Sequence, residues 1–234
     1  MENTKIKGWS YYEIGWLLAF SIIGLIISIM QKSDMLGLFV FMWGIFCVVL
    51  AAKGNIWTYY FGLINSFGYA YIAYKNGLFG EMGLNLIFFV PTNIIGVILW
   101  KKKMRDKTNT IMRELTNKYR VYILVITVLS VILLGVLLSL IKGQNNPFID
   151  AITNVLSIIA TFLMMYRYKE QWISYITLNC FTVALWIIRL KNGSLEAPIM
   201  IIMWSAFLVN AIYGYINWSA GVRAVNKEEN NWKK

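Results

Sequence analysis

The chain has 234 residues, 59% of them hydrophobic and only 14% charged, with a mean hydropathy of +0.59. Water-soluble domains carry about 25% charged residues, so this composition excludes an ordinary soluble enzyme or binding module and describes an integral membrane protein. The net charge of +11 does not point to nucleic acid, because the bases cluster between apolar blocks.

A membrane-crossing helix needs roughly 20 mainly apolar residues. Blocks of that size predict eight spans, at about 12–30, 35–52, 57–75, 81–100, 120–141, 149–166, 171–189 and 197–218. The first follows Lys5 and Lys7 as a signal peptide would. Its apolar stretch exceeds a signal core and no small-x-small cleavage site follows, so it reads as a span.

Cytoplasmic loops are enriched in Lys and Arg. One side would hold Lys5, Lys7 and Lys53, then Lys101, Lys102, Lys103, Arg105, Lys107, Arg113, Lys118 and Arg120 in one loop. Arg167, Lys169, Arg223, Lys227, Lys233 and Lys234 follow on that side. The opposite side would hold Lys32, Lys75, Lys142, Arg189 and Lys191. The asymmetry predicts an even number of spans with both termini in the cytoplasm. The basic loop is explained as a topology determinant, and the same charges can bind anionic lipid head groups.

Two segments resemble each other. "WTYYFGLINSFGYAYIAYKNG" (57–77) leads to "TNIIGVILW" (92–100), and "WISYITLNCFTVALWIIRLKNG" (172–193) leads to "VNAIYGYINW" (209–218). Each has a Trp, a central Asn (Asn65, Asn179), aromatic residues and Lys-Asn-Gly. Each then has a span with a second Asn (Asn93, Asn210), a Gly and a closing Trp (Trp100, Trp218). The corresponding spans lie four apart and so cross in the same direction. That predicts a parallel repeat, with a first three-helix bundle at 35–100 and a second at 149–219. The N-terminal region 1–34 carries the extra span, 101–119 is the basic loop, 120–148 the connecting helix and 220–234 a cytoplasmic tail. Parallel repeats of this sort build transporters whose site lies near the midplane at the repeat interface.

The stretches "AAKGNIWTYYFGLINSFGYAYIAYKNGLFGE" and "PFIDAITNVLSIIATFLMMYRYKEQWISYITLN", with "NAIYGYINW", resemble the PnuC family of bacterial vitamin transporters over about residues 44–219. The resemblance implies an all-α, SWEET-like 3+1+3 arrangement preceded by an N-terminal helix. It also implies uptake of nicotinamide riboside across the inner membrane, or of thiamine or a deoxynucleoside in related carriers. A cytoplasmic kinase that phosphorylates the arriving vitamin is implied in the same way, and a homo-oligomer is compatible with it.

Polar residues deep in spans are the functional candidates. Asn65, Asn93, Asn179 and Asn210 each have two readings, a helix–helix hydrogen bond worth around 1 kcal/mol or a substrate contact. Tyr69 lies four residues after Asn65 on one helix face, and Trp186 lies two turns after Asn179. Trp204 and Tyr213 complete the aromatic set. Amides suit ribose hydroxyls, and ring faces attract flat cations such as pyridinium. Trp57, Trp100, Trp172 and Trp218, near span ends, read as interfacial anchors. Asp150, after Pro147, is either a helix N-cap or a gate, and Pro91 predicts a kink beside Asn93.

No histidine is present, which removes the commonest metal ligand. Cys47 and Cys180 lie in apolar blocks and read as buried small hydrophobes, not a disulfide pair. No cofactor or metal is expected, and no phosphate loop of the G-x-x-x-x-G-K-[ST] type occurs. Glu13, Glu81, Asp150, Arg167, Arg189 and Glu196 fall near span ends, leaving no carboxylate or base at a span centre for proton coupling. The predicted mechanism is facilitated diffusion by alternating access. The rival from another class, a lipid-active membrane enzyme, lacks a nucleophile–base pair.

Overall fold

The computed structural model describes residues 5–6, 9–30, 35–75, 82–141, 146–193 and 197–232. Expectations that fall on Lys7, Lys32, Asn76, Gly77, Glu81, Lys142, Glu196, Lys233 and Lys234 lie outside them. Among the described residues the regular secondary structure is helical apart from a small antiparallel pair, β1 (Lys5–Ile6) and β2 (Trp9–Ser10), and the basic loop 102–116 carries only turns and isolated bridges. The helices are α1 (Tyr11–Met30), α2 (Met35–Lys53), α3 (Trp57–Lys75), α4 (Val90–Lys101), α5 (Asn117–Ser139), α6 (Pro147–Met165), α7 (Gln171–Lys191) and α8 (Ala197–Trp232). They match the eight predicted spans to within a few residues, α4 once the π-helical turn Leu84–Phe89 before it is counted with it, except that α8 runs on through the predicted tail.

Six segments are long and apolar enough to cross a membrane: α2, Leu84–Lys101, α5, α6, α7 and the Met200–Glu228 part of α8. In α1 the apolar stretch Glu13–Ile26 is shorter. The tyrosines of α3, with Asn65 and Ser66, dilute its hydrocarbon character.

Local signals explain the helix ends. At the start of α1, Ser10 and Glu13 form a reciprocal capping box: the Ser10 amide donates to Glu13 Oε2 (2.8 Å) and the Glu13 amide to Ser10 Oγ (3.1 Å). Glu13 also accepts from Lys53 Nζ at 3.1 Å, tying α1 to the end of α2. A π-helical turn, Leu84–Phe89, leads into α4, with Pro91 in the first turn of that helix. Proline has no amide hydrogen to continue an α-ladder, and the wider turn appears where that ladder would be interrupted. Thr92 Oγ1 (3.0 Å) and Asn93 Nδ2 (2.8 Å) both donate to the Phe89 carbonyl.

The chain divides into two compact units, 1–110 and 111–234. In the first, α1 packs on α2, α2 on α3, and α3 on α4 with its π-helical turn. In the second, α5 packs on α6, α6 on α7 and α7 on α8. The connecting helix α5 thus stands to α6 as α1 stands to α2. Each unit is one helix followed by a bundle of three.

The units repeat in detail at one turn. Between α2 and α3, Gly54 is left-handed (φ 75°), its amide bonds Ala51 O and the Asn55 amide bonds Leu50 O. Between α6 and α7, Arg167 is left-handed (φ 66°), its amide bonds Met164 O and the Tyr168 amide bonds Leu163 O. The basic loop is stitched to both turns. Ile56 N bonds Thr108 O and Thr110 N bonds Gly54 O; Lys169 N bonds Arg113 O and Arg113 N bonds Arg167 O. Every pair of equivalents among these turn residues is 113 positions apart.

That register corrects the reading of the tryptophans. Trp172 is equivalent to Tyr59, two residues past Trp57. Tyr59 meets Trp100 edge to face at 4.9 Å, and Trp172 meets Trp218 at 6.2 Å. A Cβ on Gly96 would run into the Tyr59 ring, and one on Gly214 into the Trp172 ring. Glycine one turn before each closing Trp lets the neighbouring ring lie flat on the helix. Trp100, Trp172 and Trp218 are therefore buried within their bundles, not interfacial anchors; Trp57 alone of the four is exposed. Cys180 is exposed on α7 and not buried as expected, while Cys47 is half-buried beside Thr58. The surface of α5 is apolar nearly all round, as suits a helix in hydrocarbon.

Candidate functional site

In the first unit both candidate amides rest on glycines of the neighbouring helix. Asn65 lies over Gly44 of α2 and donates through Nδ2 to the Val40 carbonyl at 2.7 Å. Asn93 lies over Gly62 of α3 and donates to Phe89 O. Asn65 thus makes the helix–helix bond of the first reading, whereas Asn93 bonds only within its own helical run, four residues back; each uses one amide hydrogen. No hydrogen bond to either Oδ1 occurs among the described residues. Tyr69, one turn beyond Asn65, is exposed.

The second unit differs. Asn179 is only 4% exposed, and its side chain makes no hydrogen bond among the described residues. Its amide atoms are not fully enclosed, so the missing partner is one that a ligand or water can supply. One turn on, Thr182 is buried and its hydroxyl returns to Leu178 O at 2.9 Å. Asn210 of α8 is also buried, whereas Tyr213 is half-buried. The indole Nε1 of Trp204 is enclosed and unbonded among the described residues, its ring edge-on to Phe207 at 5.6 Å. Trp186 carries the guanidinium of Arg189 over its ring at 4.6 Å, so one of its two faces already holds a cation.

Asp150 is not the N-cap of α6. Asn146 holds that place, in left-handed conformation (φ 55°), because Pro147 fixes the first helical position. Asp150 lies within the first turn, where a carboxylate favours the positive end of the helix dipole. Its carbonyl accepts from Thr153 Oγ1 (3.0 Å) and Asn154 Nδ2 (2.8 Å).

The turn register also exposes a residue that sequence matching passes over. Counting from Gly54 and Arg167, the equivalent of Asn179 is Ser66, not Asn65. Ser66 is likewise 4% exposed, and its hydroxyl makes no hydrogen bond among the described residues. The signal was the turn geometry. It was hidden in the sequence because the left-handed residue is glycine in one half and arginine in the other.

Outside the spans, two carboxylates organise the basic loop. Burial pushes the Asp106 carboxyl up, but the Asn109 side chain, the Thr108 and Asn109 amides and the Thr108 hydroxyl outweigh it and hold it at about 2. Glu114 is lowered chiefly by its 2.5 Å bond from Lys169, with Arg120 adding attraction at 3.5 Å. Among the described residues no group of three or more His, Cys, Asp or Glu is placed to hold a metal ion.

Two units of four helices each, with six segments apolar enough to cross a membrane and amides set within the helices, define a multi-pass membrane protein of the transporter class. Residues 34–220 match the family model described as nicotinamide mononucleotide transporter, and the chain belongs to that family. It is 36% identical to the nicotinamide riboside transporter PnuC of Neisseria mucosa, over 95% of this chain and 86% of that one. It is 33% identical to the protein of the same name from Haemophilus influenzae, over 97% of each. A crystal structure of the vitamin B3 transporter PnuC superposes with a TM-score of 0.75 at 34% identity, covering 94% of this chain and 95% of that one. The family is one of transporters, not enzymes, and the all-helical membrane architecture expected from the sequence is the one found.

Proposed function

We propose that this protein takes up nicotinamide riboside across the bacterial inner membrane, as a carrier that alternates access without an ion gradient. The observation that carries the substrate is the likeness, over nearly the whole chain, to proteins named for nicotinamide riboside. Asn179 supports a contact with that ligand, because a ribose hydroxyl would satisfy an amide left unbonded among the described residues. Ser66, Asn65 and Asn93 offer further hydrogen-bonding atoms, and Tyr69, Trp186, Trp204, Asn210 and Tyr213 complete the proposed set. Asp150 is retained as a gate candidate. The basic loop and both termini are assigned to the cytoplasm, where a kinase would trap the arriving vitamin by giving it a charged phosphate. Thiamine or a deoxynucleoside is the second reading, since amides and rings serve those ligands as well.

Purified protein titrated with nicotinamide riboside, thiamine and deoxynucleosides tests the substrate. Binding of nicotinamide riboside at least tenfold tighter than the others is expected; a preference for thiamine would replace this assignment. In sealed vesicles uptake should equilibrate without accumulation. Concentrative uptake driven by protons or sodium, with no kinase inside, would overturn the mechanism.

A further inference from the structure

The second unit has an apolar opening that contains none of the candidate polar residues. It is a groove of about 480 Å³ between α5, α6 and α7. One end is marked by Leu115, Arg120 and Glu170, the other by Ile132, Ile152 and Phe181. Its walls are otherwise aliphatic apart from Ser174, Thr127 and Thr177, and the hydroxyls of the two threonines turn back to their own helices at 2.7 and 2.9 Å. Between its charged end and Phe181 the groove is apolar but for these hydroxyls, which suits a hydrocarbon chain better than a polar vitamin.

The groove has a direction. On α5 it runs from Arg120 to Ile132, on α6 from Leu163 back to Ile152, and on α7 from Ile173 to Phe181. Twelve residues of helix rise roughly 18 Å, close to the ~15 Å that is half of a bilayer core. A slot that starts at a charged helix end and stops near mid-membrane has the dimensions of one acyl chain. Its charged end also has a sign. Arg120 and Glu170 line that end, and Arg113, Glu114 and Lys169 lie next to them in the loop that pairs Arg113 with Lys169, with Lys118 in the first turn of α5. Glu170 is paired with Arg120 at 2.9 Å and accepts from the Leu115 amide at 3.1 Å, and Glu114 is paired with Lys169. The excess is positive, which attracts anionic head groups.

We infer that this groove is a binding site for an anionic phospholipid, with one acyl chain lying between α5 and the α6–α7 pair and the phosphate at the basic end. The lipid fills the seam along which the connecting helix packs, so it fastens α5 to the second bundle. Only the choice of leaflet rests on the orientation proposed above.

The test uses the full-length protein in nanodiscs containing a phosphatidylglycerol with a photoreactive diazirine near the end of one chain. Adducts should concentrate on Val131, Ile132, Ile152 and Phe181. Ser174→Trp, which fills the groove, should cut them at least fivefold. Arg113→Gln with Lys118→Gln should lower the preference for phosphatidylglycerol over phosphatidylcholine severalfold and keeps the test open should Ser174→Trp fail to fold. Adducts spread evenly over Leu129, Leu133 and Val136, or equal competition by phosphatidylcholine, would overturn the site. So would an oligomer that Ser174→Trp dissociates while no adducts form in the groove, which would assign the face to a second copy of the chain.

Discussion

Ser66 and Asn179 are the same position in two copies of one structure, each twelve residues beyond the left-handed residue of its turn, Gly54 or Arg167, and each 4% exposed. Neither side chain is hydrogen-bonded among the described residues. A buried polar pair at equivalent places in both units fits a shared ligand better than two independent packing accidents. Asn179→Leu should therefore weaken nicotinamide riboside binding while the melting temperature holds or rises. Loss of a hydrogen bond to a desolvated hydroxyl costs about 1–3 kcal/mol, roughly five- to 150-fold in affinity. Ser66→Ala should act in the same direction. Wild-type affinity in both variants, measured by calorimetry, would remove the pair from the site.

Asn65 should behave differently, because it already bonds Val40 O across α2 and α3. Asn65→Leu deletes that bond and places a branched side chain over Gly44. A net cost of about 1 kcal/mol corresponds to a fall of about 2–4 °C in melting temperature for a chain of this size. A variant with unchanged melting and reduced affinity would show that Asn65 serves the ligand alone.

How much of this was legible in the sequence divides along physical lines. Hydrocarbon imposes length and apolarity on every span, so α2, α3, α6 and α7 could be read to within two residues. The repeat was legible too, but its register was not. Tryptophan is conspicuous in a sequence, so Trp57 was matched to Trp172, whereas packing matches Tyr59 to Trp172. A ring's burial depends on the helix opposite, here on Gly96 and Gly214, and nothing local in the chain declares that contact. The capping box of Ser10 and Glu13 follows a known local pattern and was legible in principle.

The glycine under each ring gives a stability prediction. Gly96→Ala and Gly214→Ala push a methyl into the Tyr59 and Trp172 rings, and overpacking of this kind costs about 1–3 kcal/mol. Monodisperse yield and thermal stability should both fall. Tyr59→Ala combined with Gly96→Ala should be less destabilised than the sum of the two single changes. Strict additivity by thermal melts would mean that the ring and the glycine are not in contact.

The basic loop gives a pH prediction. Asp106, held at about 2, gathers the Thr108 and Asn109 amides at 2.7 and 2.8 Å. A depressed carboxylate stabilises the fold above its unfolded value near 4, and the contribution is lost as pH falls through the folded value. Hydrogen exchange at Thr108 and Asn109 should keep its protection, corrected for intrinsic rate, from pH 8 to about 4 and lose it between about 4 and 2. Asp106→Ala should remove the protection at every pH. Loss of protection already at pH 6 in the wild type would assign the loop's order to another group.

Trp186 tests the recognition of a cation. Its ring carries Arg189 at 4.6 Å on one face, so a pyridinium ligand would have to use the other. Cation–π attraction is worth roughly 0.5–2 kcal/mol depending on desolvation. Trp186→Ala should then weaken a planar cationic nucleoside two- to thirtyfold, and a neutral one of similar size much less. Arg189→Gln separates stacking from mere anchoring. Removing a positive charge from behind the ring lessens repulsion of a cationic ligand, so affinity for nicotinamide riboside should rise in that variant and that for the neutral analogue should stay level. If Arg189→Gln lowers affinity for both alike, the pair is a structural clamp at the end of α7, and the cation is recognised elsewhere.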